Sequence, residues 1–183
     1  MTIADVSVAI GGQAFDTALG RCAVAWTGAG LRRVLLPGGA ERRLERMGAR
    51  PAPPPPDAAA AIAGIVAHVA GAPADFDGLS LDEAGVEPFE RQVYAALRRV
   101  ARGETTTYGA LAAAVGAPGA AREVGAAMGR NPWPIVVPCH RVLAAEGRLG
   151  GFSAPGGAET KRRLLALEGV HPGGTPDLPG LFG

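Results

Sequence analysis

Residues 134–142 read PIVVPCHRV, and the middle of that stretch could do chemistry. Cys139 is followed directly by His140 and Arg141, and a thiol beside cationic or basic groups can be lowered into its nucleophilic thiolate form. The β-branched run Ile135, Val136 and Val137 predicts a buried strand, and Pro138, which has no amide hydrogen to give a ladder, predicts its end. Cys139 is therefore expected where a strand meets a cleft. The residue types alone leave a second reading open. A free cysteine is commonly one more small buried side chain, with His140 and Arg141 as surface neighbours.

The remaining chemistry-bearing residues narrow the classes. Cys22 is far from Cys139 and no CxxC spacing occurs, so neither a thiolate zinc site nor a disulfide framework is indicated, and reduced thiols are expected. The 183 residues are 48% hydrophobic and 19% charged with net charge +1, which describes a folded chain of one or two small domains and no overall polycation. Lys161 is the only lysine, so 17 of the 18 basic residues are arginine, a bias that suits bidentate phosphate or carboxylate contacts and also follows from general Ala/Gly/Pro/Arg-rich composition. The amino terminus lacks a secretory pattern, and the longest apolar stretch, residues 58–67, stops at His68, too short to cross a bilayer. A soluble cytoplasmic protein with no membrane partner is the expectation.

The elements that must position Cys139 follow from periodicity. Residues 4–36 read as strands punctuated by glycines: VSVAI, the pair Gly11 and Gly12, then CAVAW and RRVLLP around TGAG. ERRLERMG predicts a short helix, PAPPPP a stiff polyproline spacer, and residues 57–69 an alanine-rich helix ending near Gly71, with His68 in a structural or surface role. Pro88 opens a helix whose apolar positions Phe89, Val93, Ala96, Leu97 and Val100 recur at helical spacing until Gly103. Thr107 is a candidate N-cap for a helix ending at Gly116, and a second short helix follows Pro118, giving a helix-turn-helix candidate of a kind that also occurs in many proteins that never touch DNA. That second helix is nearly bare, with Ala121, Gly125 and Ala126 on it and Arg122 and Arg130 as its long projections. Such a helix can approach another surface closely, or pack tightly inside a protein.

Taken together, GETTTYGALAAAVG, AAREVGAAMGRNPWPIVVPCHRV and LGGFSAPGGAETKRRLLALEG closely resemble the C-terminal domain of the O6-alkylguanine-DNA alkyltransferases over about residues 86–170. The resemblance implies an α+β fold. A small strand-rich N-terminal domain, RNase H-like in the family, would occupy residues 1–85; a mostly helical, winged-helix-like alkyltransferase and DNA-binding domain residues 86–170; and a flexible tail residues 171–183. It implies direct-reversal DNA repair without a cofactor or metal, by a monomer acting on double-stranded DNA that carries O6-alkylguanine. In the family the cysteine matching Cys139 takes the alkyl group irreversibly as a thioether. It is activated through a water by a histidine and a glutamate matching His140 and Glu168, and the asparagine matching Asn131 fixes the preceding hinge. Tyr108 matches the tyrosine that donates to the flipped base and Ser153 the serine whose amide meets O6, with Val142 and Phe152 also in the substrate pocket. Phe152 stands where the family often has tyrosine, and Ala154 and Pro155 are an insertion relative to shorter members. Arg122 matches the arginine that fills the gap left by the extruded base, and Ala121, Gly125, Ala126 and Arg130 complete the DNA-facing helix.

Two other readings compete. An alkyltransferase-like protein that only flags damage lacks the cysteine, which this chain has. An unrelated Cys/His hydrolase leaves the bare helix and Arg122 without a purpose.

Overall fold

The computed structural model describes residues 9–172, and these form two compact units. Residues up to Glu87 together with Pro132–Val136 make the first, and Pro88–Asn131 with the chain from Val137 onward make the second. The mixed α+β composition agrees with the sequence reading. Residues 6–8 of the expected first strand and residues 173–183 of the expected tail lie outside the described residues.

In the first unit β1 (Gly11–Thr17), β2 (Gly20–Thr27) and β3 (Gly30–Leu35) form an antiparallel meander, and the two-residue β4 (Arg50–Pro51) adds parallel to β1, giving the order β3-β2-β1-β4. Gly11 and Gly12 were expected as punctuation, and they instead begin β1. A Cβ on Gly11 would lie 2.3 Å from the Trp26 indole nitrogen, so the strand needs glycine there to admit the indole. The helices α1 (Ala40–Arg46) and α2 (Pro56–Val69) fall where the sequence placed them. The proline tract is only partly a spacer, since Pro51 pairs with β1 and Pro56 opens α2. His68 is buried, edge-on to Phe76. The outer edge of β3 is covered rather than bare: Leu31 exchanges backbone bonds with Ser80 and Asp82, the Val34 amide donates to Pro132, and the buried Trp133 indole donates to the Leu31 carbonyl at 2.7 Å.

In the second unit α3 (Pro88–Leu97) buries Val93, Tyr94 and Leu97, and the Tyr94 hydroxyl donates to the Ala127 carbonyl at 2.7 Å. After β5 (Thr106–Thr107), α4 (Tyr108–Ala114) is capped as expected, Thr107 Oγ1 accepting from the Ala110 amide. A six-residue turn leads to α5 (Ala121–Arg130). Beyond Cys139, β6 (Val142–Leu143) pairs parallel with β5, and α6 (Gly157–Leu167) closes the unit.

The expected strand at Ile135–Val137 does not form. Pro132, Pro134 and Pro138 remove three amide donors from seven consecutive residues, so no ladder can run through them. The chain turns at Ile135 and Val136, and Ile135 has a left-handed φ of 75°, an unfavourable conformation for a β-branched residue. Cys139 consequently opens a single 3-10 turn, Cys139–Arg141, where a strand end was expected.

Candidate active site

That 3-10 turn is what brings Cys139, His140 and Arg141 to different partners. The excursion of residues 132–136 is closed by the Asn131 side chain, whose Nδ2 donates to the Val137 carbonyl at 2.9 Å, so the hinge asparagine pins both ends of the loop. The same side chain, with the amides of Cys139 and His140, faces the Cys139 sulfur and favours its thiolate. Burial works against them. The residue is 6% exposed, and the net effect in the resting protein is to push the thiol up from its ordinary value.

His140 is fully buried and its Nε2 lies 2.8 Å from Glu168 Oε1. Burial pushes the imidazole down, more than Glu168 raises it, so at neutral pH it is uncharged. Glu168 would be raised by its own burial, yet hydrogen bonds and charge from His140 and Arg141 hold its carboxyl well below the usual carboxylate range. An ionised carboxylate only accepts. His140 Nε2 must therefore carry the hydrogen, leaving Nδ1 as the basic nitrogen, the arrangement a general base requires.

Arg141 is the residue whose role the sequence did not reveal. Its Nε lies 3.0 and 3.2 Å from the two Glu168 oxygens, its Nη2 lies 2.9 Å from Oε1, and its Nη1 donates to the Val100 carbonyl at 2.6 Å. This two-pronged grip fixes the carboxylate against rotation. The adjacency of His140 and Arg141 was visible, but not that a one-turn 3-10 helix would aim both at one carboxylate. Lys161 was likewise recognised only as the lone lysine. Its Nζ is buried and donates to the Val142 carbonyl at 2.6 Å.

The sulfur opens on a pocket of about 290 Å³ lined by Tyr108, Gly125, Met128, Gly129, Cys139, Gly151, Phe152 and Ser153. That volume lies near the lower bound of about 300 Å³ for small-molecule sites, which suits one flat ring system. Of the expected substrate residues, Tyr108, Phe152 and Ser153 are in the wall. Val142 is not; it is fully buried behind it and contributes its carbonyl to Lys161. Ala154 and Pro155 also lie outside the lining. They make the turn into α6, where the Ala154 carbonyl accepts from Gly157 and the Pro155 carbonyl from Thr160. Burial, and then the charge of Cys139, push the Tyr108 phenol up, which keeps it a proton donor.

Helix α5 serves two sides. Val124, Ala127 and Met128 are buried, Gly125 and Gly129 reach the pocket, and Arg122, Ala126 and Arg130 are exposed with Ala121 half-buried. Arg122, Ala126 and Gly129 follow at i, i+4 and i+7, a single smooth stripe beside the pocket wall with one arginine at its head. Arg130 is partly engaged, its Nε meeting the buried Glu90 at 2.5 Å. A larger hollow of about 980 Å³ in the first unit is lined by residues such as Trp26, Arg50 and Pro53 and offers no cysteine or histidine.

Residues 88–170, the stretch that builds this site, match the model of the 6-O-methylguanine DNA methyltransferase DNA-binding domain. The chain is 46% identical over 116 residues to the methylated-DNA–protein-cysteine methyltransferase of Mycobacterium tuberculosis, covering 63% of this chain and 68% of that protein. This chain belongs to the methylated-DNA–protein-cysteine methyltransferase family. Identity to the methyltransferase of Mycolicibacterium paratuberculosis is 50% over 113 residues, 62% of this chain and 66% of the relative. The crystal structure of Mycobacterium tuberculosis O6-methylguanine methyltransferase superposes with a TM-score of 0.74 at 37% identity, over 87% of this chain and 92% of that one. The structure of Mycobacterium tuberculosis OGT in complex with DNA gives 0.72 at 36% identity, over 88% and 94%. As a methyltransferase of this family the chain carries a DNA-binding domain for DNA repair, and no helix among its described residues is long and apolar enough to cross a membrane.

Proposed function

We propose that this protein repairs O6-alkylguanine in double-stranded DNA by taking the alkyl group onto Cys139, once per molecule. The observation that carries the reading is a buried Glu168–His140 pair behind a cysteine that opens on a ring-sized pocket. His140 Nδ1 removes the thiol proton through an intervening water. The sulfur then attacks the alkyl carbon, the S–C bond forming as the C–O6 bond breaks, and the electron pair passes to the guanine. Tyr108 donates a proton to the departing base and recovers one from the imidazolium, so the thiol proton ends on guanine and the protein keeps a thioether. No electrons are exchanged with a cofactor, and the transfer needs none.

The base must leave the duplex to reach this pocket, at a cost of a few kcal/mol. In this reading Arg122, exposed at the head of the smooth α5 stripe, fills the vacated stack, and the small Ala121, Ala126 and Gly125 permit the helix a close approach to the minor groove. Arg130 would add a phosphate contact, and Asn131 holds the nucleophile loop. Phe152 supplies an apolar wall without the hydroxyl that many relatives have. In this reading the protein acts as a cytoplasmic monomer, its first unit RNase H-like and its second winged-helix-like, with the boundary near residue 86.

Duplex DNA carrying labelled O6-methylguanine should transfer one equivalent of label to Cys139, read by intact-mass and peptide mass spectrometry. Repeated turnover, or label on the Cys139→Ala protein, would refute the proposal.

A further inference from the structure

Charge in the first unit is unevenly distributed. Residues 21–50 carry seven arginines against two acidic residues, Glu41 and Glu45, and Glu41 is already paired with Arg21 at 2.7 Å. Four of those arginines line one open hollow of about 420 Å³, Arg32 and Arg33 from β3 and Arg43 and Arg46 from α1. Among the described residues no carboxylate is in its wall. Ile10 and Met47 line both this hollow and the larger one of about 980 Å³, whose wall adds Arg50 and again no acidic group among the described residues. The two hollows therefore adjoin as one trough edged by five arginines.

The fold does not neutralise this cluster from within. Arg32 donates to the Ala84 carbonyl and lies 3.5 Å from Asp82, which is outside the wall. Arg43 donates from Nη2 to the Leu36 carbonyl, while its Nε is buried without a hydrogen-bond partner. Arg43 and Arg46 stand three apart on α1, a spacing at which like charges repel and weaken a helix. The Arg46 and Arg50 side chains are exposed and make no ion pair.

A concave wall of one sign concentrates its field on what enters, and guanidinium groups grip phosphate oxygens two at a time. One small anion would fill part of one hollow. Arginines spread along two adjoining hollows suit a chain of phosphates instead. The matched DNA-binding domain covers residues 88–170 and does not include this surface. We infer that the first unit carries a second DNA contact, in which the trough edged by Arg33, Arg43, Arg46 and Arg50 takes backbone phosphates of duplex DNA without reading sequence. Such a contact requires DNA as a partner but no alkyl transfer.

The test is the salt dependence of binding to an undamaged duplex, followed by fluorescence anisotropy from about 50 to 200 mM salt, for the wild type and the double variant Arg46→Gln/Arg50→Gln. Each phosphate contact contributes about 0.9 to the slope of log K against log salt, so the variant's slope should be shallower by roughly 2 and its affinity lower throughout that range. A folded variant with the wild-type slope and affinity overturns the contact and leaves alkyl transfer to Cys139 untouched. A wild type that takes up no benzyl group from O6-benzylguanine, yet shows the expected change in slope, sinks the alkyl-transfer reading and leaves the contact standing.

Arginine labelling provides a measurement on the unaltered protein. Phenylglyoxal, mapped by peptide mass spectrometry, should modify Arg46 and Arg50 in the free protein, and undamaged duplex should suppress the labelling of both. Labelling that persists at both under saturating duplex overturns the contact even if the double variant fails to fold. Equal suppression by inorganic phosphate at the same phosphate concentration also overturns it, in favour of a site for single anions.

Discussion

Replacing Glu168 by glutamine removes one charge and leaves the shape of the site nearly unchanged, so its effects can be worked from the contacts. In the wild type the carboxylate accepts from His140 Nε2 at 2.8 Å, from Arg141 through three contacts of 2.9–3.2 Å, and from the Gly103 amide at 3.4 Å, with no side-chain exposure. Glu168→Gln leaves the Arg141 guanidinium, only 10% exposed, without its counter-charge. Breaking one side of a buried ion pair costs about 3–5 kcal/mol, and the amide oxygen still accepts a bond, so about 3 kcal/mol is expected, a fall in Tm of roughly 6–12 °C. The folded protein holds this carboxyl below its unfolded value of about 4.3. Its contribution is therefore complete above that pH and fades as pH falls toward the folded value, so the stability gap between wild type and variant should narrow in acid. The chemical effect is separate. Glu168 raises the imidazole's proton affinity, and without it His140 becomes a weaker base, which should slow benzyl uptake about 100-fold, the lower end of what general-base catalysis contributes. Chemical denaturation at neutral and acidic pH measures the first effect and intact-mass kinetics the second. A folded Glu168→Gln protein that takes up benzyl within about twofold of wild type would show that the carboxylate is structural only, and the relay reasoning would be wrong.

Other outcomes are expected of the same assays. Arg122→Ala should lower the repair rate in duplex DNA about tenfold or more while leaving reaction with free O6-benzylguanine unchanged; equal losses on both substrates would refute gap filling. Tyr108→Phe removes the donor proposed for the departing base and should cut the benzyl-uptake rate by about 100-fold, measured at a pH where the wild-type phenol is protonated. Thr107→Ala removes the side-chain acceptor for the Ala110 amide and should cost about 1 kcal/mol in denaturant unfolding, because that cap begins the helix that carries Tyr108.

The helices of the second unit were legible because each carries its own local signals: Pro88 at a start, Thr107 at a cap, apolar residues at helical spacing. The strand misread at Ile135–Val137 shows the limit of such signals. Three β-branched residues in a row match a buried strand, but backbone donors decide whether a ladder exists, and the surrounding prolines had removed them. Gly11 and Gly12 failed for the complementary reason, since what fixes them is the indole of Trp26 and the side chain of Leu44, contacts with no local trace. Within the site, the spacing of Cys139 and His140 was informative and the resemblance supplied Glu168. The convergence of Arg141 on that carboxylate 27 positions away, and of Lys161 on carbonyls 19 and 10 positions away, depends on chain segments meeting through α6 and its end, which no periodicity records.

The raised thiol is at first sight the wrong direction for a nucleophile, and it is consistent with one that acts once. A resting thiolate in contact with solvent reacts with any electrophile or oxidant that arrives, and each such event would consume a molecule that cannot be regenerated. Burial holds Cys139 protonated, while Asn131, Lys161 and two backbone amides stand in place to favour the anion when it forms. The neutral His140 beside ionised Glu168 supplies an acceptor for the proton without a second buried positive charge in the resting state. In the proposed transfer, negative charge moves from sulfur onto the guanine, toward the Tyr108 phenol that burial keeps protonated. The barrier is thus lowered at both ends of the charge displacement, but only when a base occupies the pocket between them. Free iodoacetamide, which needs the thiolate but no base, should accordingly label Cys139 no faster than an ordinary thiol at neutral pH, while O6-benzylguanine labels it much faster than its uncatalysed reaction with a small thiol. Rapid labelling by both reagents would mean that the sulfur is ionised at rest and that the pocket, rather than the proton relay, supplies the selectivity.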